Sequence, residues 1–281
     1  MDLIKFDNFY FRYKANDAYA LEAVNLKIED NKFILLVGET GSGKTTLIRC
    51  MNGLIPQFYA GYYRGSVEVA GKDTAETPIA DLSTEVGIVF QNPENQLIAM
   101  NVEHEIAFGL ENIGVPRDKI KEKIQESVKI TEIEHLLDKA PFELSGGEQQ
   151  RVAIASILVL EPKVLILDEP TALLDPYMAK KIINLLKEIQ VEKKITIIIS
   201  EHRMDLILPI ADQLIVLKDG QVIEHDDSGK VINGENFQNL DLNKPVIYSI
   251  FSELKKKKLF EENIPSSIPE ALKILKKSFV K

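Results

Sequence analysis

The chain opens with two stretches in which apolar and polar residues alternate, 3–13 and 21–28, separated by Lys14-Ala15-Asn16-Asp17. Strict alternation places successive side chains on opposite faces of an extended backbone, so the spacing predicts antiparallel strands joined by a loop. Residues 33–37 form a short apolar run ending at a glycine, the pattern of a buried strand. Further strands are predicted at 66–69, 86–90, 164–167, 195–199, 213–217 and 221–224, with Lys218-Asp219-Gly220 as a hairpin turn between the last two. Helical periodicity occupies 45–54, 102–113, 117–129, 147–160 and 176–188. Pro116 and Pro176 fall just ahead of or inside first turns, where a missing N–H costs least.

Strands interleaved with helices predict an α/β core with a mainly parallel sheet, preceded by an antiparallel β portion. Residues 101–144 show helical patterns without a strong strand signal, and with the helix that follows they form a helical insert at about 101–160. After Asp226 the character changes. Residues 244–281 contain nine Lys against four Glu, including Lys255-Lys256-Lys257-Lys258, and read as a small, basic, partly helical carboxy-terminal appendage. The expected division is 1–240 for the main domain and 241–281 for the appendage.

Composition narrows the classes of function. With 45% apolar residues in 281 positions the chain can bury a sizeable core, which excludes disorder as the main state. A net charge of −9 argues against a broad nucleic-acid-binding surface, and no nucleic-acid partner is expected. The single cysteine, Cys50, excludes an intrachain disulfide framework and a cysteine-cluster metal site. Met1-Asp2-Leu3-Ile4-Lys5 lacks the order of a signal peptide. The apolar stretches 152–160 and 195–199 fall well short of a membrane-spanning helix. The chain is therefore expected not to cross a membrane by itself, although it can dock on something that does.

The first chemical signal is Gly38-Glu39-Thr40-Gly41-Ser42-Gly43-Lys44-Thr45-Thr46, which fits G-x-x-x-x-G-K-[ST] between a predicted strand and a predicted helix. Gly38, Gly41 and Gly43 let backbone N–H groups approach phosphate oxygens, and the helix N-terminus favours the anion. Lys44 would neutralise β/γ-phosphate charge, while the Thr45 hydroxyl would hold Mg²⁺. Residues 164–167 lead into Asp168-Glu169, an apolar strand ending in two carboxylates. Asp168 is placed for the magnesium's water shell, and Glu169 for polarising an attacking water.

Leu144-Ser145-Gly146-Gly147-Glu148-Gln149-Gln150 begins another helix, with Ser145 23 residues before Asp168. A serine and two glycines at a helix start make a second anion-receptive N-terminus, without a lysine. In this order the motifs resemble those of the ATP-binding-cassette ATPases, over about residues 3–240. The resemblance implies a P-loop NTPase core, ATP and Mg²⁺ as cofactors, and ATP hydrolysis. It also implies that Tyr13 stacks on adenine, that Gln91 senses Mg²⁺ and the membrane partner, and that Asp175 communicates across a dimer. His202 would contact the γ-phosphate, and Ser42 and Thr46 belong to the phosphate loop. Ser145 and Gly147 would cover the ATP held by a second cassette protomer. One departure stands out: the family's Ser-Ala-Leu-Asp loop here reads Ala172-Leu173-Leu174-Asp175, without the serine hydroxyl. His104, His135 and His225 match no functional position and are expected at the surface.

Gln91-Asn92-Pro93-Glu94-Asn95-Gln96-Leu97 and Glu105-Ile106-Ala107-Phe108-Gly109-Leu110-Glu111-Asn112 narrow the resemblance to ATPase subunits of energy-coupling-factor transporters. Those subunits lie at the cytoplasmic face of the membrane, dock on an integral membrane subunit, and energise uptake of vitamins or of cobalt or nickel ions. Gln91 and Ser145 are 54 positions apart, too close for the long coiled coil of a DNA-repair ATPase. One cassette also excludes the two-cassette translation type. A soluble cassette serving a non-transport assembly, such as iron–sulfur cluster biogenesis, is the alternative that length leaves open.

Overall fold

The computed structural model describes residues 2–279, and side chains up to 276. Two sheets organise the chain. The larger has the order β10-β9-β3-β8-β7-β6, built from β3 (Phe33–Val37), β6 (Val86–Val89), β7 (Val164–Asp168), β8 (Thr196–Ser200), β9 (Gln213–Lys218) and β10 (Gln221–Asp227). Every pairing is parallel except the edge hairpin β9–β10. Asp219 and Gly220 both have positive φ in that hairpin, the twist a two-residue turn needs. The smaller sheet is antiparallel, with β2 (Leu21–Glu29), β1 (Asp2–Tyr13), β4 (Gly61–Val69) and β5 (Lys72–Asp73) in that order. The predicted α/β class with an antiparallel portion is therefore the observed one.

The parallel sheet divides the interior. On β3, Phe33, Leu35 and Val37 enter one apolar cluster, while Ile34 and Leu36 enter the other. The same two-residue period sends Leu165 and Leu167 of β7 one way and Val164 and Ile166 the other. This is why the strands read as continuous apolar runs: both faces are covered. One side receives the antiparallel sheet and helix α1 (Lys44–Met51). The other receives α2 (Val102–Asn112), α3 (Arg117–Thr131), α4 (Gly146–Leu158) and α5 (Pro176–Lys193).

The carboxy-terminal helices α6 (Val246–Lys256) and α7 (Ile268–Phe279) join this second cluster. Tyr248, Phe251, Ile264 and Ala271 are buried there, so the lysine-rich segment has an apolar face seated on the main domain. Its lysines 255–258 lie at the far, largely exposed end of α6.

Several boundaries differ from the periodicity. β4 starts at Gly61, five residues before the expected 66, because Tyr62, Tyr63 and Arg64 are all exposed and no alternation marks them. β8 runs to Ser200 and β10 to Asp227, since polar residues at a strand end hide its extent. Helix α1 stops at Met51, ahead of Gly53 in the left-handed region. His104 and His135 are exposed as expected, but His225 is half-buried and its ring bonds Gln213 Oε1 at 3.1 Å. Loss of hydration there lowers its pKa.

Candidate nucleotide site

Every group of the candidate site except Tyr13 and the 145–147 and 171–175 segments leaves the carboxyl end of a parallel strand, where open α/β sheets gather ligands. The phosphate loop follows β3 and feeds α1. Gly43, the residue before that helix, has φ +104, and a Cβ there would lie 2.6 Å from the Ala20 carbonyl oxygen. Only glycine fits both constraints. A Cβ on Gly38 would lie 2.3 Å from the Leu217 carbonyl oxygen, so the loop is pressed against β9. The β9–β10 turn supports it further: Gly220 N–H donates to the Ser42 carbonyl at 2.9 Å.

Lys44 is buried, and its ammonium donates to the carbonyls of Gly38 at 2.8 Å and Glu39 at 3.1 Å. Desolvation pulls its pKa down, against the opposing pull of Glu169 and Asp168. The buried hydroxyl of Ser42 has no partner among the described residues, an unmet donor inside the loop. Gly41 is exposed, and Thr46 hydroxyl meets the Tyr13 hydroxyl at 3.1 Å. Tyr13 also accepts from Arg49 at 3.4 Å and packs edge-on to Phe11. Its ring is thereby fixed at the rim of a cavity of about 340 Å³ lined with Thr40, Gly41, Lys44, Thr45, Glu169 and His202 among others.

Asp168 closes β7 on the far side of β8. Its Oδ2 accepts from the Thr45 hydroxyl at 2.9 Å, and its Oδ1 from the Ser200 hydroxyl at 2.5 Å. Glu169, the next residue, has φ +50, which turns its side chain away from Asp168. Gln91 Nε2 donates to one Glu169 oxygen at 2.8 Å, and His202 Nε2 meets the other at 3.0 Å. Three strand ends thus converge on one carboxylate. Gln91, expected beside the metal, directs its amide to Glu169.

Ser145, Gly147 and Asp175 do not line that cavity. Ser145 caps α4 in a reciprocal box: its hydroxyl donates to Glu148 Oε2 at 2.7 Å, and Glu148 N–H returns to its Oγ at 3.4 Å. Gly146 and Gly147 sit against Leu174 and Met178, so the start of α4 and the 171–175 loop form one surface. Ser145, Asp175, Phe142, Leu173 and Tyr177 are exposed on these segments.

Sequence reasoning missed Ser200, Glu201, Thr171 and Arg203, which hold the carboxylates and the loop after them. The available signal was two polar residues, Ser200-Glu201, closing the all-isoleucine strand end 197–199.

The family described as ABC transporter matches residues 21–172, more than half of the sequence. This chain belongs to that family. A putative ABC transporter ATP-binding protein of Methanosarcina mazei is 44% identical over 79% of this chain, which spans only 38% of that relative. The energy-coupling factor transporter ATP-binding protein EcfA1 of Ligilactobacillus salivarius is 39% identical over 91% of this chain and 89% of its own. Among solved structures, CbiO1 of Clostridium perfringens, part of the ABC transporter complex CbiONQ, superposes with a TM-score of 0.75. It is 36% identical and covers 89% of this chain and 99% of its own. A dimeric ATP-binding cassette in a post-hydrolysis state with ADP and Pi superposes at 0.68 with 29% identity, over 80% of this chain and 98% of that one. The cassette described here is accordingly an ABC ATPase. Among its described residues no helix is long and apolar enough to cross a membrane.

Proposed function

We propose that this cassette binds Mg-ATP between two protomers and, by hydrolysing it, energises an importer of the energy-coupling-factor type, for a vitamin or a cobalt or nickel ion. The observation that carries the reading is the split arrangement. The phosphate loop, Asp168, Glu169 and His202 meet at the sheet, whereas Ser145 and Asp175 are exposed on a separate face, with Gly147 buried just beneath it. Likeness to EcfA1 and CbiO1 across about nine-tenths of the chain supports the importer class.

The residues fit a magnesium ion. Thr45 hydroxyl and Asp168 carboxylate are hard oxygen donors 2.9 Å apart, the small protein share that Mg²⁺ takes when phosphates complete its shell. Thr45 and Asp168 would hold it, with Gln91 close by, and it would offset β/γ-phosphate charge. Lys44 and the amides at the start of α1 bind the phosphates, and the partnerless Ser42 hydroxyl donates to them. The Tyr13 ring stacks on the base. Glu169, held by Gln91 and His202, accepts the proton of the attacking water. Ser145 and Gly147 of a second cassette, in the simplest case another copy of this chain, close over the γ-phosphate.

The cassette works at the cytoplasmic face of the membrane, docked on an integral transport subunit. Purification of the tagged chain from its native membranes tests this directly. A polytopic membrane protein in stoichiometric amount supports the reading. Recovery only with a soluble assembly scaffold overturns it.

A further inference from the structure

Four consecutive residues, Ser200 at the end of β8 and the three that follow it, each grip the end of β7 or the segment after it. Ser200 bonds Asp168 through its hydroxyl, and its carbonyl accepts the Glu169 N–H at 2.9 Å. His202 meets the Glu169 carboxylate at 3.0 Å. Arg203 donates to the Leu174 carbonyl at 3.0 Å. Between them, Glu201 accepts a hydrogen bond from the Thr171 hydroxyl. The Glu201–Thr171 pair differs from its neighbours in depth. Glu201 is 4% exposed and Thr171 is 0% exposed, so neither partner can exchange its bond for water.

We propose that Glu201 is a positioning residue: by holding Thr171 it fixes the 169–175 loop. That loop carries Glu169 at one end and Asp175 of the exposed, partner-facing surface at the other. The physical reason is the cost of leaving the bond unmade. A buried acceptor without its donor loses hydration and gains nothing, which makes one loop geometry strongly preferred. Burial also raises the Glu201 pKa, opposed chiefly by the Thr171 bond. The tether puts the carboxylate that works on the protomer's own nucleotide and the surface offered to its neighbour in one rigid unit. Arg203, gripping Leu174, anchors the same loop one turn further on.

This inference rests on the ATPase reading, and the test keeps the two apart. Steady-state hydrolysis and Mg-ATP affinity are measured for the full chain, wild type first, then for Glu201→Ala, Glu201→Gln, Thr171→Val and Thr171→Ser. Amide hydrogen exchange of residues 171–175 is followed in each. Wild type that binds no nucleotide overturns the function itself, whereas the exchange measurement still reads the tether. Glu201→Ala and Thr171→Val should lower kcat about tenfold through a misplaced loop, with KM for Mg-ATP within about twofold. Both should accelerate exchange at 171–175 while the core strands stay protected. Glu201→Gln keeps an acceptor and Thr171→Ser keeps a donor, so each should restore most of kcat and of the protection. The double variant Glu201→Ala/Thr171→Val should be no worse than either single one. Unchanged exchange at 171–175 in Glu201→Ala overturns the proposal. So does equal loss of kcat in Glu201→Gln and Glu201→Ala, which would assign Glu201 a role through its charge.

Discussion

The two faces of this cassette are built in opposite ways. On the phosphate-loop face the groups are tied to one another: Lys44 to loop carbonyls, Thr45 to Asp168, Glu169 to Gln91 and His202. They leave the ends of strands whose cores are fully buried, so the scaffold fixes them before any ligand arrives. On the other face, Ser145 bonds within its own helix, and Asp175 caps the first turn of α5. Around them Phe142 is 85% exposed and Leu173 68% exposed. On the proposed function one face is a site and the other the cover for a neighbour's site, each finished by the other when two protomers meet.

Substitutions on the two faces should therefore fail differently. The largest effect is expected from Glu169→Gln, which keeps shape and removes the proposed proton acceptor. Turnover should fall on the order of 10²-fold or more, with Mg-ATP binding retained. Activity within a few-fold of wild type would remove Glu169 from that role and with it much of the contrast. Next comes Lys44→Ala, which should weaken nucleotide binding itself, read by titration with a fluorescent ATP analogue. Unchanged affinity would show that the lysine does not face the phosphates.

On the covering face, Ser145→Arg should leave the affinity of the monomer for nucleotide nearly intact while blocking ATP-dependent dimerisation, as measured by light scattering. It is a cleaner probe than Gly147→Asp. A Cβ at Gly147 would come within 2.5 Å of the Met178 methyl, so that substitution also disturbs how α4 meets α5. A smaller change is expected from Tyr13→Ala. Loss of base stacking should weaken ATP and ADP alike, by about 1–3 kcal/mol. A selective effect on ATP would place the ring near the phosphates. The smallest concerns Cys50, which is fully buried and whose thiol burial holds well above its ordinary pKa. It should resist alkylation in the native protein and react only on unfolding.

The phosphate-loop face was largely legible in the sequence, because its chemistry is local. Gly38 to Thr46 carries the turn, the cation and the hydroxyl in nine consecutive residues between a strand and a helix. What sequence could not supply was the set of bonds across strands. Nothing in the spacing from Thr171 to Glu201 announces a buried pair, since β8 reaches β7 only through tertiary pairing. The carboxy-terminal segment was misleading for a related reason. Its lysine run dominates the composition, while the apolar face that seats Tyr248 and Phe251 on the core lies in the short uncharged stretch 246–252 just ahead of it. The start of β4 had no signal at all, because its first residues are exposed on both sides.

The claim that the two faces complete each other across a dimer is tested most directly by mixing inactive protomers. Lys44→Ala spoils the phosphate face and keeps the cover; Ser145→Arg does the reverse. In a mixed dimer both lesions fall on one composite site and the other site is intact. An equimolar mixture should therefore form dimers in Mg-ATP and recover up to about a quarter of wild-type hydrolysis, from two-fold pairing statistics, although neither variant is active alone. A mixture that neither dimerises with Mg-ATP nor hydrolyses it would contradict the account, because each protomer would then be serving its own nucleotide.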